Sequence, residues 1–223
     1  MRTSFQLIGQ EPWFVIHDLE EAYHDTVRRL GYRDVVGGFG SVAPADNPYV
    51  QRAFDNFQRY AEPVLLQAAG VHSVPWDQTL LALLQILEGH DIDWWLLGSA
   101  ARAVRGLQVK PGDVDLVVSD VGAFQLQELL LASIVQPVIA TPGWVHNSFA
   151  RAFLHSRVEW VGGVNPVADA EYPTDQGPLA ANRLEVVSWQ GYEVRVPPLE
   201  LQLEVSQQRG LAERAAVIEW ALG

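Results

Sequence analysis

Cysteine is absent from this chain. That excludes disulfides, thiolate zinc sites and a cysteine nucleophile, and it fits a reducing cytosol. Long apolar runs are missing as well. The longest, such as Leu129 to Ile134, fall far short of the about 20 residues that a membrane-spanning helix needs. The amino terminus, MRTSFQLIGQEPWF, has no apolar stretch of signal-peptide type. A cytoplasmic protein without a membrane partner is the expectation. Positive charge is also scarce: 15 Lys and Arg against 27 Asp and Glu leave a formal net charge of −12. An acidic surface repels a phosphate backbone, so nucleic acid is not an expected partner. Internal repeats and low-complexity tracts are lacking too.

What is present is an ordinary globular balance. Of the 223 residues, 48% are hydrophobic and 19% charged, enough to bury a real core. Eight tryptophans read as packing and interface residues. Asp18 to Leu30 has helical character, with Asp18 as a cap and Gly31 as a stop. His17 and His24 beside it read as surface or cap residues, since no ligand spacing accompanies them. Val35 to Ser41 (VVGGFGS) imitates a phosphate loop, but Pro44, Asn47 and Pro48 follow where a helix is needed, so a turn is expected. Asn47 to Ala69 reads as a helix that Pro63 should kink or end. Ser73 to His90 reads as another, with Leu80, Leu83, Leu84 and Leu87 as its apolar stripe.

The chemistry concentrates between Trp94 and Asp120, WWLLGSAARAVRGLQVKPGDVDLVVSD. An apolar strand ends in Gly98-Ser99. A short helical segment follows, then Asp113-Val114-Asp115 leads into Leu116-Val117-Val118. Two carboxylates two residues apart on a strand point to the same face. A Gly-Ser turn and such a pair can share a cleft suited to a metal ion and a nucleotide phosphate. Two plain alternatives stay open: Asp113 as a turn residue after Pro111-Gly112, and Asp115 as the outward residue of an edge strand.

Beyond Asp120 the pattern is mixed. Gly122 to Ile134 reads as a helix and Val135 to Ala140 as a strand that Pro137 places at an edge. Thr141 to Ser148 reads as a loop. Phe149 to Leu154 and Arg157 to Val161 form a hairpin around His155-Ser156. Val167 to Asn182 is a loose connection or lid. Leu184 to Trp189 and Tyr192 to Val196 make a second hairpin. Pro197-Pro198 marks a boundary before helices over Leu199 to Gln208 and Leu211 to Leu222.

On Gly98-Ser99, the spacer Ala100 to Gly112 and Asp113-Val114-Asp115, the chain resembles the polymerase-β-type nucleotidyltransferase superfamily. Trp94 to Val118 is similar to small bacterial members, including aminoglycoside and lincosamide resistance enzymes and their uncharacterised relatives. The spacer is long for the pattern. The resemblance covers about Ile92 to Val196 and leaves residues 1 to 72 outside. It implies an α/β (α+β) nucleotidyltransferase fold, with a mixed sheet between Trp94 and Val196 flanked by helices. The expected organisation is an N-terminal helical extension (1–72), a core (73–197) and C-terminal helices (198–223).

The resemblance further implies Mg²⁺-dependent transfer of an NMP from an NTP, ATP being the expected one, to an acceptor hydroxyl, here one on a small molecule. Two Mg²⁺ ions would be held by Asp113, Asp115 and a third carboxylate from a later strand. Glu159, in RVEWVGG, is the choice for ligand or base; Glu185 and Glu193 are its rivals. Gly98 would let the triphosphate approach, Ser99 would offer a hydroxyl and an N–H, and Arg102, Arg105 or Lys110 would contact phosphate. The loop acids Asp169, Glu171 and Asp175 would suit a cationic acceptor. The alternative is a catalytically inactive binding or regulatory protein on the same fold, antitoxin-like or a nucleotide sensor.

Overall fold

Residues 1 to 42 are mainly strands and not helices, contrary to expectation. In the computed structural model, which describes residues 1–45, 47–142, 144–165 and 174–223, they carry β1 (Arg2–Ile8), β2 (Glu11–His17), β3 (Arg33–Val35) and β4 (Gly38–Val42). These pair antiparallel in the order β1-β2-β4-β3. β2 is the reason. Its Trp13-Phe14-Val15-Ile16 is aromatic and β-branched and is buried throughout, a composition that suits a strand covered on both sides. Of the expected helix over Asp18 to Leu30, only a 3₁₀ turn at Glu21–Tyr23 and α1 (His24–Arg29) form. Asp18 turns the chain at φ +52° and pairs with Arg2 instead of capping. Val35 to Ser41 makes the β3–β4 turn, with Gly37 at φ +80°. His17 is buried, not superficial: it bonds Ser4 Oγ at 2.7 Å and the Gly37 carbonyl at 2.8 Å.

α2 (Val50–Ala68) runs on through Pro63, and α3 (Trp76–Leu87) follows. The central sheet then comprises β5 (Trp94–Leu97), β6 (Val114–Val118), β7 (Ile134–Ala140), β8 (His146–Phe153) and β9 (Arg157–Val164), in the order β5-β6-β9-β8-β7. β6 and β9 are parallel; the other neighbours are antiparallel. β7 is an edge strand, where Pro137 costs no ladder bond. α4 (Gly98–Ala103) follows β5. α5 (Asp120–Leu129) follows β6, with Ser119 Oγ accepting from the Gly122 N–H at 2.9 Å.

The sheet ends at β9, short of the expected Val196. After α6 (Pro178–Ala181), β10 (Glu185–Trp189) and β11 (Tyr192–Val196) form a separate two-stranded ribbon, and α7 (Leu199–Gln208) and α8 (Ala212–Leu222) close the chain. One buried cluster runs from Phe14 and Ile16 of β2 through α2 and α3 to Leu96, Leu116, Val158 and Trp160 of the sheet. The N-terminal strands therefore share their core with the central sheet. Among the described residues, no helix is long and apolar enough to cross a membrane.

Candidate active site

Period-two alternation divides each central strand between the two faces of the sheet. On β6, Val114, Leu116 and Val118 enter the main core, while Val117 belongs to a small cluster with Trp95 and Leu97 on the other face. Asp115 shares that second face. Register does the rest. Asp115 is paired with Leu97 on one side and Glu159 on the other. Glu159 is paired with Arg151, and Arg151 with Gln136. Leu97, Asp115, Glu159, Arg151 and Gln136 thus make one row across all five strands. Directly paired residues have their side chains side by side, so the row is continuous: Arg151 Nε lies 2.7 Å from Glu159 Oε1, and Arg151 also donates to Gln136 Oε1 at 3.3 Å.

Asp113 lies one step below, in the bend before β6. It ion-pairs with Arg157, whose guanidinium also reaches Glu159 Oε1 at 3.1 Å. Asp113, Asp115 and Glu159 each offer an oxygen within 4.8 Å of the others. β6 is an inner strand, so the edge-strand reading of Asp115 fails. Gly98, at φ +64°, closes the arrangement from the β5 side. A Cβ there would lie 2.7 Å from Asp115 Oδ2, and the left-handed backbone disfavours any other residue.

Three carboxylates in one partly buried spot repel one another. Burial, then the Asp113 and Glu159 charges, push Asp115 well above the usual aspartate range. Burial also raises Asp113, against the pull of Arg157. Glu159 differs: burial would raise it too, but Arg151 and Arg157 outweigh that and hold it below its ordinary value. A hard divalent cation takes oxygen ligands at about 2.0–2.6 Å, so opposed ligands stand about 4–5 Å apart. The cluster's spacing and all-oxygen donor set fit such an ion.

A cleft of about 210 Å³ opens over Gly98, Asp115 and Glu159, with Phe149 beside them. Asp175, Gln176, Arg209 and Arg214 line it from the C-terminal part of the chain.

No family model matches the sequence, and no curated protein is significantly similar to it. Two solved structures are similar. One is described as a "putative nucleotidyltransferase" from Thermotoga maritima, 19% identical, with a TM-score of 0.52 over 68% of this chain and 96% of that one. The other is an antigenic nucleotidyltransferase-like protein from Paracoccidioides brasiliensis, 17% identical, with a TM-score of 0.40 over 66% and 76%. The fold is a nucleotidyltransferase fold.

Within this nucleotidyltransferase fold, not all the residues singled out from sequence come together. Gly98, Asp113, Asp115 and Glu159 converge. Ser99 follows Gly98 in α4 but does not line the cleft. Arg102 is buried in α4; burial, then Arg214, lower its pKa to about 10, and its Nε has no hydrogen-bond partner among the described residues. Lys110 is exposed and outside the cleft. Arg105 is engaged by Glu185 and by the Pro197 carbonyl. Glu185 and Glu193 sit on the β10–β11 ribbon, apart from the acidic row. Asp169 and Glu171 lie outside the described residues. Asp175 lines the cleft, but Arg214, Arg209 and Arg102 act on its charge, and burial raises its pKa. Those neighbours do not make a pocket for a cation.

The arginines are what sequence reasoning missed. Arg157 stands two residues before Glu159, the same spacing that marks Asp113 and Asp115, and the signal was there to read. Arg151 alternates with apolar residues in FARAF, a weaker hint. Arg209 and Arg214, on either side of Gly210, carry no local sign of a site. They make no salt bridge among the described residues, and only chain packing brings them over the acids.

Proposed function

We propose that this protein is a metal-dependent nucleotidyltransferase that moves an NMP from an NTP, ATP for preference, to a hydroxyl of a small-molecule acceptor. The observation that carries the reading is the convergence of Asp113, Asp115 and Glu159 beside the obligate glycine Gly98. Asp113 and Asp115 hold Mg²⁺, and Glu159 assists as third ligand or as base. Mg²⁺ bound there supplies neutralisation of charge on the phosphoryl oxygens. The rest is positioning and electrostatics from the chain itself. Gly98 leaves room for the phosphates. Arg209 and Arg214 face the acids across the cleft and take the β and γ phosphates in place of Arg102 and Lys110.

In the transfer, the acceptor hydroxyl oxygen bonds to the α-phosphorus. The bond from that phosphorus to the bridging oxygen of the β-phosphate breaks. Pyrophosphate leaves with the electron pair, and the hydroxyl proton passes to Glu159 or through it to solvent. The test is pyrophosphate release from an NTP and Mg²⁺ across an acceptor panel that includes proteins. Unchanged transfer in Asp113→Ala or Asp115→Ala sinks the reading.

One observation favours a second reading. Arg157 already bridges Asp113 and Glu159, and Arg151 holds Glu159, so two of the three acids have cationic partners without an ion. A nucleotide-binding or regulatory protein of this fold has no need of turnover. Metal-dependent NTP binding with no pyrophosphate release on any acceptor would select it.

A further inference from the structure

The acidic row has a second cleft on its other side. In the row, Leu97 and Asp115 lie to one side of Glu159, and Arg151 and Gln136 to the other. Beyond Arg151 the surface opens into a cleft of about 420 Å³. Its floor is the site face of β7 and β8, and its far wall is the α1–β3 connection and β4 of the N-terminal sheet. Phe149 lines both clefts, so the two meet at Phe149, and Arg151 of the second cleft ion-pairs with Glu159 of the first. The residues outside the nucleotidyltransferase resemblance thus build one wall of a compartment that touches the candidate site.

The lining has a consistent chemistry. Trp144 is 59% exposed and stands with Phe149, Leu30, Val42 and Ile139 as flat and apolar surface. Among the described residues, no aspartate or glutamate lines the cleft; its charged groups there are Arg33 and Arg151. Arg151 is spent on Glu159 and stacks on Phe149 at 5.1 Å. Arg33 is exposed and has no ion-pair partner among the described residues. The aromatic and apolar surface stacks planar groups, and the two guanidiniums disfavour a cation there.

Resting on the transferase reading above, we infer that this second cleft seats the acceptor, and that the acceptor is a hydroxyl compound with a flat apolar body and an anionic group bound by Arg33. A polycationic acceptor of the aminoglycoside kind does not suit it. The nucleotide occupies the Gly98 cleft, and the acceptor hydroxyl reaches Glu159 past Arg151 and Phe149.

The test uses the full chain and three probes of similar size: 6-hydroxy-2-naphthoate, neutral 2-naphthol and cationic tyramine. Binding is read by calorimetry, with Mn²⁺–ATP affinity measured in parallel. The naphthoate should bind about tenfold tighter than the naphthol, as one charge-assisted hydrogen-bonded pair provides. Arg33→Glu should abolish that preference, Arg33→Lys should keep part of it, and Trp144→Ala should weaken both naphthalenes. Mn²⁺–ATP binding should not change in any of these variants. Tighter binding of tyramine, a preference that survives Arg33→Glu, or no binding by any probe overturns the inference. No naphthoate preference in the unsubstituted chain, with Mn²⁺–ATP binding intact, counts against the acceptor class alone. Absence of Mn²⁺–ATP binding with the preference intact counts against the transferase reading and leaves the cleft's ligand class standing.

Discussion

Asp115 and Leu116 are neighbours in sequence and face opposite sides of the same sheet. The Leu116 face, with Val114, Val158 and Trp160, is sealed under α3 and α5 and is almost wholly buried. The Asp115 face carries Glu159, Arg151 and Arg157, with Asp113 just before the strand: three carboxylates and two guanidiniums held close together. One face spends burial on stability, at about 1.5–3 kcal/mol for each large side chain taken from water. The other spends it on crowded charge, which raises Asp113 and Asp115 out of their ordinary range. Concentrating the charge on one face of rigid strands leaves the other free to anchor them.

The sharpest way to break that comparison is Asp115→Asn. It should cut transfer by at least about a thousandfold, since metal-bound charge stabilisation is worth several kcal/mol. The metal-free fold should survive or gain stability, because a buried charge is removed. Activity assay and thermal melting on one sample decide it. A large loss of stability would show that the acid holds the fold.

Leu116→Ala should do the reverse. Deleting a buried leucine costs about 2–5 kcal/mol, read as a lower denaturant midpoint, while divalent-ion affinity of the folded fraction is kept. Gly98→Ala comes next. Its new Cβ would meet Asp115 Oδ2 and needs a left-handed backbone, a strain of about 1–3 kcal/mol. Metal binding and transfer should fall together, with a smaller effect on the melting temperature than that of Leu116→Ala.

The pH dependence follows from the signs. Asp115 binds its proton more tightly folded than unfolded, so its contribution favours the fold below the ordinary aspartate value of 3.8 and is lost as pH rises through the raised folded value. Glu159 is held below its ordinary 4.5, so its contribution is present above that value and is lost only as pH falls further. Above pH 4.5 the aspartates dominate. Mg²⁺ competes with their protons, so its stabilising shift in melting temperature should be larger at pH 8 than at pH 5. An equal shift at both would mean that the ion binds elsewhere. Smallest of all, Glu185→Gln and Glu193→Gln on the outer ribbon should change stability by less than about 0.5 kcal/mol and leave metal binding intact. A loss of metal affinity in either would reopen the choice of third carboxylate.

Much of the central sheet was legible because its signals are local. The apolar strand before Gly98, the hairpin turn at His155-Ser156 and the edge-marking Pro137 are read from a few residues each. The N-terminal sheet was not. β2 is completed by β1 and β4, and β4 lies beyond α1, so its pattern resembles a short buried segment of any kind. The ribbon of β10 and β11 was read as strands but placed in the wrong sheet, since a strand's pattern does not name its partners.

The sequence by itself determined the closely spaced pair Asp113 and Asp115, the turn at Gly98, and Glu159 as an acid in an apolar strand, because these are properties of a few neighbouring residues; Asp113 itself stands in the bend before β6 and not on the strand. Only the tertiary structure decided that Glu159, and not Glu185 or Glu193, stands beside Asp115, because register between β6 and β9 is set by packing over the whole sheet. It also brought Arg209 and Arg214 over the acids and the N-terminal strands against β7 and β8. Those contacts join residues far apart in sequence, and no local pattern encodes them.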